Sequence, residues 1–384
     1  MPAPDVARIP GAVFSRIADK LRAHQGELFP LHVGDTWMEP AEGARMQDLT
    51  VHDHPGMHRY TSPQGMPALI DAVVDKARAI NGLPAERGSV LITTGATGGL
   101  GAAIGMLASP GEEILILAPF WPLIRGIVRT FRAVPVEVPF FDVVDSAEAA
   151  VEAIRGRISP RTVALYVSTP SNPTGRVIPA SWLQAIAELA RREDLWLLSD
   201  EVYEDYVYDG AHTSIGAFAP ERTFTAFSFS KAYGMAGNRT GYLVGPPEAM
   251  LSCRKVSTHT YYSAPTSGQL AGLRALQSGS EWLAAARRSY QQAGDDAAHV
   301  LGLPRPQGST FLFVDVSACC DERGVFGFLE DALDDGLVLA PGPSFGKGYE
   351  GWVRLCFTSA PPDRVAVAVR RLKARLDPSR GSAV

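Results

Sequence analysis

Lys231 follows directly on an apolar run, in the string Ser228-Phe229-Ser230-Lys231. A lysine so placed can trap a carbonyl, because its amine forms a Schiff base once desolvation or a neighbouring cation lowers its pKa. Arg239 lies eight residues on, inside Gly237-Asn238-Arg239-Thr240-Gly241, and a guanidinium offers the two-pronged clamp that suits a phosphate. Asp200 ends a second apolar run, Leu195-Trp196-Leu197-Leu198. A carboxylate at the end of a buried strand needs a partner or it is neutralised, and a protonated pyridine nitrogen would be such a partner. Glu201, next in line, reads as a strand cap or a solvent-facing acid.

Three weaker signals accompany these. Gly95-Ala96-Thr97-Gly98-Gly99 follows a β-rich run and opens a helix, where small residues let backbone N–H groups approach an anion. Trp121, just past another apolar run, can stack on a flat ring, although for the residue alone a tryptophan packed in a domain interface is the stronger reading. Asn172, in Ser171-Asn172-Pro173-Thr174-Gly175, sits in ordinary turn residues, and its amide can donate to a phenolic oxygen. The glycine turn also mimics a dinucleotide fingerprint. That rival expects an early strand and an acid about 20 residues further on. Here some 88 residues come first, the next strand ends in Ala118-Pro119-Phe120-Trp121, and no Tyr-x-x-x-Lys pair occurs.

The elements that must position these residues follow from the same runs. Strands are expected at Ser89–Gly95, Glu113–Pro119, Thr162–Ser168, Leu195–Leu198, Thr223–Ser228 and Thr240–Val244, with helices near Thr97–Ala108 and Ser181–Arg192 between them. Nearly continuous apolar strands alternating with helices imply a mainly parallel sheet covered on both faces, with its ligand at the carboxyl ends of the strands. The last hundred residues differ. A long helix over Ser280–Gly302, short strands at Thr310–Val316, Val338–Pro341 and Trp352–Phe357, and a closing helix over Pro361–Leu376 read as a separate α+β domain.

In this order the motifs resemble the fold-type I, class I/II aminotransferases, the aspartate aminotransferase superfamily, and the likeness runs from about Leu31 to the last helix. The resemblance implies a pyridoxal 5′-phosphate (PLP) enzyme, with a large domain built on a mainly parallel seven-stranded sheet sandwiched by helices and a smaller α+β domain. Residues 41–278 would form the large domain and 279–384 the small one, which residues 1–40 would join. Lys231 would form the imine with the cofactor and Asp200 would pair with its ring nitrogen. Asn172 and Tyr203 would bond the phenolic oxygen, and Trp121 would stack on the ring. Gly95, Ala96, Thr97, Ser228 and Arg239 would hold the phosphate, joined by Tyr60 from a neighbouring subunit, which implies a homodimer with shared sites. Gly34, Asn172, Phe345 and Arg354 would meet the substrate, with Arg354 gripping its α-carboxylate. The implied reaction moves the amino group of an L-amino acid to a 2-oxo acid. Elimination, cyclisation or decarboxylation on the same frame is the alternative. Thr97 stands where a subgroup carries a lysine for a distal carboxylate, which weakens the case for an aspartate or glutamate specialist but leaves it open, since another arginine could reach in.

Other features carry less. His52, His54 and His58 fit no good zinc spacing, and Pro55-Gly56 breaks a helical register, so a channel lining or plain loop is expected. His32 and Trp37 could tune the pocket or simply pack. Pro341 to Gly348 lacks the spacing of a phosphate loop. Four cysteines, Cys253, Cys319, Cys320 and Cys356, suggest neither a disulfide framework nor a metal site. With 384 residues, 46% hydrophobic and a net charge of −5, the chain reads as a globular enzyme without nucleic-acid chemistry, so a ligand-sensing DNA regulator is not expected. No apolar stretch nears the roughly 18 residues of a membrane span and no leader is visible, which makes the cytoplasm the expected location.

Overall fold

The computed structural model describes residues 17–377 together with Ala7, Ile9 and Gly11; the rest of the expected N-terminal segment lies outside the described residues. After a two-residue strand β1 (Phe29–Pro30), seven strands build one sheet: β2 (Val90–Thr93), β3 (Glu113–Ala118), β4 (Val134–Pro139), β5 (Thr162–Ser168), β6 (Trp196–Asp200), β7 (Thr223–Ser228) and β8 (Gly241–Val244). Their spatial order is β2-β8-β7-β6-β5-β3-β4. β8 runs antiparallel to both neighbours, and every other pairing is parallel. All strands but β8 therefore end on one edge of the sheet.

The two-residue period of a strand divides each between two cores. Ile114, Ile116, Ala164 and Tyr166 face one side, under the helices Gly95–Leu107, Leu123–Thr130 and Pro247–Thr260. Leu115, Leu117, Leu165 and Val167 face the other, under Ala147–Arg155 and Ala180–Arg192. Burial on both faces is why these strands read as unbroken apolar runs. β4 escaped that reading. Val134-Pro135-Val136-Glu137-Val138-Pro139 carries two prolines, which lack the N–H a ladder needs. The strand is accordingly an edge strand, paired only with β3.

A second core gathers the chain's ends. β9 (Phe311–Asp315), β11 (Ala340–Pro341) and β12 (Trp352–Cys356) form an antiparallel sheet in the order β11-β12-β9, while β10 (Leu337–Val338) pairs in parallel with β1. The expected single strand over Val338–Pro341 is thus split between two sheets. The helices Ser280–Leu301, Gly324–Asp334 and Pro362–Arg375 pack on it. The first of these stops at Gly302, whose left-handed φ of 73° turns its N–H back onto the last carbonyls. Phe29 and Leu31 are buried in this core beside Tyr290, Leu329 and Val353, and burying each side chain stabilises the fold by roughly 1.5–3 kcal/mol. Among the described residues no helix is long and apolar enough to cross a membrane.

Candidate active site

A cavity of about 330 Å³ opens at the carboxyl edge of the large sheet. It collects twelve of the fourteen residues singled out from the sequence: Gly34, Ala96, Thr97, Trp121, Asn172, Asp200, Tyr203, Ser228, Lys231, Arg239, Phe345 and Arg354. Gly95 lies just beyond its lining. Tyr60 stands apart, 88% exposed, with its ring edge-on to Tyr262 at 5.1 Å.

Lys231 is carried on a single helical turn, Phe229–Ala232, directly after β7. The Ser228 hydroxyl caps that turn by accepting from the Ser230 amide at 3.0 Å. The Tyr206 hydroxyl ties its far end, donating to the carbonyls of Lys231 at 2.9 Å and Ala232 at 3.0 Å. Lys231 Nζ donates to the Gly34 carbonyl, which joins the N-terminal segment to the large sheet. Burial holds the amine below the ordinary lysine range; Asp35 opposes that shift, and the nearby Arg354 and Arg239 reinforce it.

Asp200 ends β6 and is buried. Its Oδ2 accepts from the Tyr166 hydroxyl at 2.6 Å, while Oδ1 has no partner. Burial raises its pKa to about 6, against the lowering effect of the Tyr166 bond. Tyr166 was not visible as a site residue in the sequence, because within Thr-Val-Ala-Leu-Tyr-Val-Ser it reads as one more apolar strand residue. Glu201 corrects a sequence expectation. It neither caps the strand nor faces solvent, but is fully buried. Its carboxylate accepts from Ser199 at 2.7 Å and Ser214 at 2.8 Å and meets His212 Nε2 at 2.8 Å, which supplies the partners a buried acid requires.

Arg354 reaches the cavity from β12. Nη1 donates to Asn172 Oδ1 at 2.8 Å and Nη2 to the His32 carbonyl at 2.6 Å, while Nε has no partner. The Phe311 and Phe345 ring centres lie 4.2 and 4.9 Å from the guanidinium carbon. Burial lowers its pKa, yet a guanidinium remains cationic at neutral pH. The Asn172 carbonyl is thereby occupied, which leaves its amide to donate. Tyr203 is buried, edge-on to Phe311.

At the opposite end Arg239 adopts a left-handed φ of 52°, with Nη1 held by the Ala236 carbonyl at 2.9 Å. Its Nη2 would stand 2.8 Å from any Cβ added at Gly95, the first residue of the helix Gly95–Leu107. A guanidinium against a bare helix N-terminus is a cradle for a phosphate. The unpartnered Asp200 Oδ1 is a seat for a cationic ring nitrogen, and the two features together fit PLP.

Among the described residues no three His, Cys, Asp or Glu side chains come together as a metal site; His54 instead meets Arg274 Nη2 at 2.7 Å. His32 lines the cavity, and Trp37 does not. All four cysteines are free thiols.

The family model for class I and II aminotransferases matches residues 29–372. This chain belongs to that family. Its cofactor is accordingly PLP, and its reaction is transamination of amino acids. A probable aspartate/prephenate aminotransferase of Thermus aquaticus is 35% identical over 312 residues, covering 79% of this chain and 80% of that protein. An aromatic-amino-acid aminotransferase of Thermococcus litoralis is 30% identical over 319 residues, with 79% and 81% covered. Among solved structures, the aspartate aminotransferase of Thermus thermophilus with maleate superposes with a TM-score of 0.88 at 30% identity, covering 98% of this chain and 99% of the other.

Proposed function

We propose that Lys231 is the lysine that carries PLP, and that the chain transfers the amino group of an L-amino acid to a 2-oxo acid in this cavity. The single observation that carries the reading is the pairing of a buried, half-unsatisfied Asp200 carboxylate with a desolvated Lys231 amine in one cavity. When bound, PLP supplies an aldehyde for an amine and a ring that accepts the electron pair of a breaking Cα–H bond.

Each residue then has one task. Asp200 Oδ1 keeps a proton on the ring nitrogen, and the Tyr166 bond orients the carboxylate. Arg239 and the amides at Gly95, Ala96 and Thr97 hold the phosphate, with the Ser228 hydroxyl beside them. The Asn172 amide and the Tyr203 hydroxyl donate to the phenolic oxygen, and Trp121 covers the ring. Arg354 receives the substrate α-carboxylate through Nε and its remaining N–H groups. Lys231 Nζ, released when the substrate amine displaces it from the cofactor, would take up and return the α-proton, and its burial favours the neutral amine. Gly34 must be a glycine here, since an added Cβ would stand 2.6 Å from the Phe311 ring.

We further propose a cytoplasmic homodimer in which Tyr60 completes the phosphate site of the second subunit; its exposed ring is what supports this. Residues 1–40 and 279–384 would move as one unit against 41–278. The test of the activity is direct. Purified holoenzyme mixed with a panel of amino acids and 2-oxo acids should yield the new amino acid from the oxo-acid carbon skeleton. Release of ammonia or carbon dioxide without acceptor amination would refute it.

A further inference from the structure

We propose that the side-chain subsite of this cavity selects amino acids with neutral, apolar side chains over aspartate and glutamate. The inference rests on the transamination proposed above and adds its substrate class.

It follows from a census of charge. Three cations line the cavity, and each already has a place. Lys231 Nζ bonds the Gly34 carbonyl. Arg239 lies against Gly95 at the helix start. Arg354 is gripped by Asn172 and the His32 carbonyl, which positions it for one carboxylate. No other lysine or arginine contributes to the lining among the described residues. Arg125 lies over the Phe120 ring, 5.1 Å from its centre, and is not part of the lining. Its Nη1 pairs with Glu137 at 3.1 Å, which answers its charge, and Nη2 donates to the Ser344 carbonyl at 3.0 Å, with Nε alone unpartnered. The one histidine in the lining, His32, is pushed down to about 4 by burial and then by Arg354, so it adds no charge at neutral pH. A second substrate carboxylate would enter this space without a counter-ion from the described residues of its own subunit, which burial makes costly.

The walls favour the complementary ligand. Val33, Trp121, Pro122, Leu123 and Phe345 line the same cavity. Val33 and Leu123 remain 47% and 53% exposed despite being apolar, which leaves surface for an apolar side chain to cover.

The experiment is a donor-only half-reaction of the holoenzyme, followed by the cofactor's absorbance, with L-leucine, L-methionine, L-phenylalanine, L-aspartate and L-glutamate. Relatives named for aspartate make that acid the decisive comparison. The neutral donors should react with a second-order constant about tenfold or more above the acidic ones, since a site without a partner for a charged group discriminates strongly against it. Aspartate or glutamate matching the neutral donors would overturn the inference and point to a cation from the second subunit. Conversion by none of the five would fail the proposed transamination itself. Leu123→Arg supplies the missing charge and should raise the aspartate-to-leucine ratio roughly tenfold. An unchanged ratio in a folded variant would place the substrate side chain elsewhere and overturn the inference as well.

Discussion

Asp200 shows how one buried atom constrains the chemistry. Its pKa rises from 3.8 to about 6, so ionisation costs the folded state. Between those values the folded chain holds a proton that the unfolded chain has released. Stability of the cofactor-free protein should therefore fall as pH rises from about 4 to about 6, by on the order of 3 kcal/mol. Asp200→Asn should make that slope shallower by Asp200's share, leaving the share of Asp205, which burial also raises to about 6, as denaturant unfolding at several pH values will show. Equal slopes in the two proteins would remove Asp200 from the account. Candidate residues stood out where a polar side chain follows an apolar run, as at Asp200 and Lys231, whereas Arg354 was expected only from the family resemblance. Tyr166 did not stand out, because a tyrosine inside such a run reads as packing. Glu201 was misread because its donors, Ser199, Ser214 and His212, converge only in three dimensions.

At the scale of elements, the strand-to-helix turns do the positioning. β2 delivers Gly95, β6 delivers Asp200 and β7 delivers Lys231, all to one edge. Gly95 combines a φ of 69° with the Arg239 guanidinium beside it. Gly95→Ala should cost about 1–2 kcal/mol in thermal or denaturant stability and weaken cofactor retention, because a side chain there is strained and crowds Arg239. Retention of wild-type cofactor affinity would show that the turn tolerates the Cβ and does not cradle the phosphate. The buried parallel strands were legible from composition to within a residue or two. β4 was not, because its prolines suppress the β signal and are tolerated only at an edge. The break between β10 and β11 was hidden as well, since a four-residue apolar stretch does not record which sheet each half joins.

For the whole molecule, the site lies where separate parts of the chain meet: Gly34 from the N-terminal segment, Asp200 and Lys231 from the large sheet, Arg354 from the small one. Ligand sites favour such junctions, because relative motion there can admit and enclose a substrate. The proposed dimer adds a partner to the junction, and mixing tests it. Tyr60→Ala and Lys231→Ala subunits, each weak or inactive alone, should form hybrids in which one site has an intact lysine and an intact tyrosine from the other chain. Activity above the sum of the separate variants is expected. No gain on mixing, with hybrids demonstrated by mass, would mean that Tyr60 serves its own subunit or none. A contact with a second copy was expected only from the family resemblance, since an exposed tyrosine in isolation is unremarkable.

Everything proposed for this cavity depends on Lys231 holding the cofactor. Holoenzyme reduced with borohydride, digested and mapped by mass spectrometry reads this directly. The phosphopyridoxyl mass should appear on the peptide containing Lys231 and on no other. That mass on a different lysine, or its presence in Lys231→Ala, would contradict it.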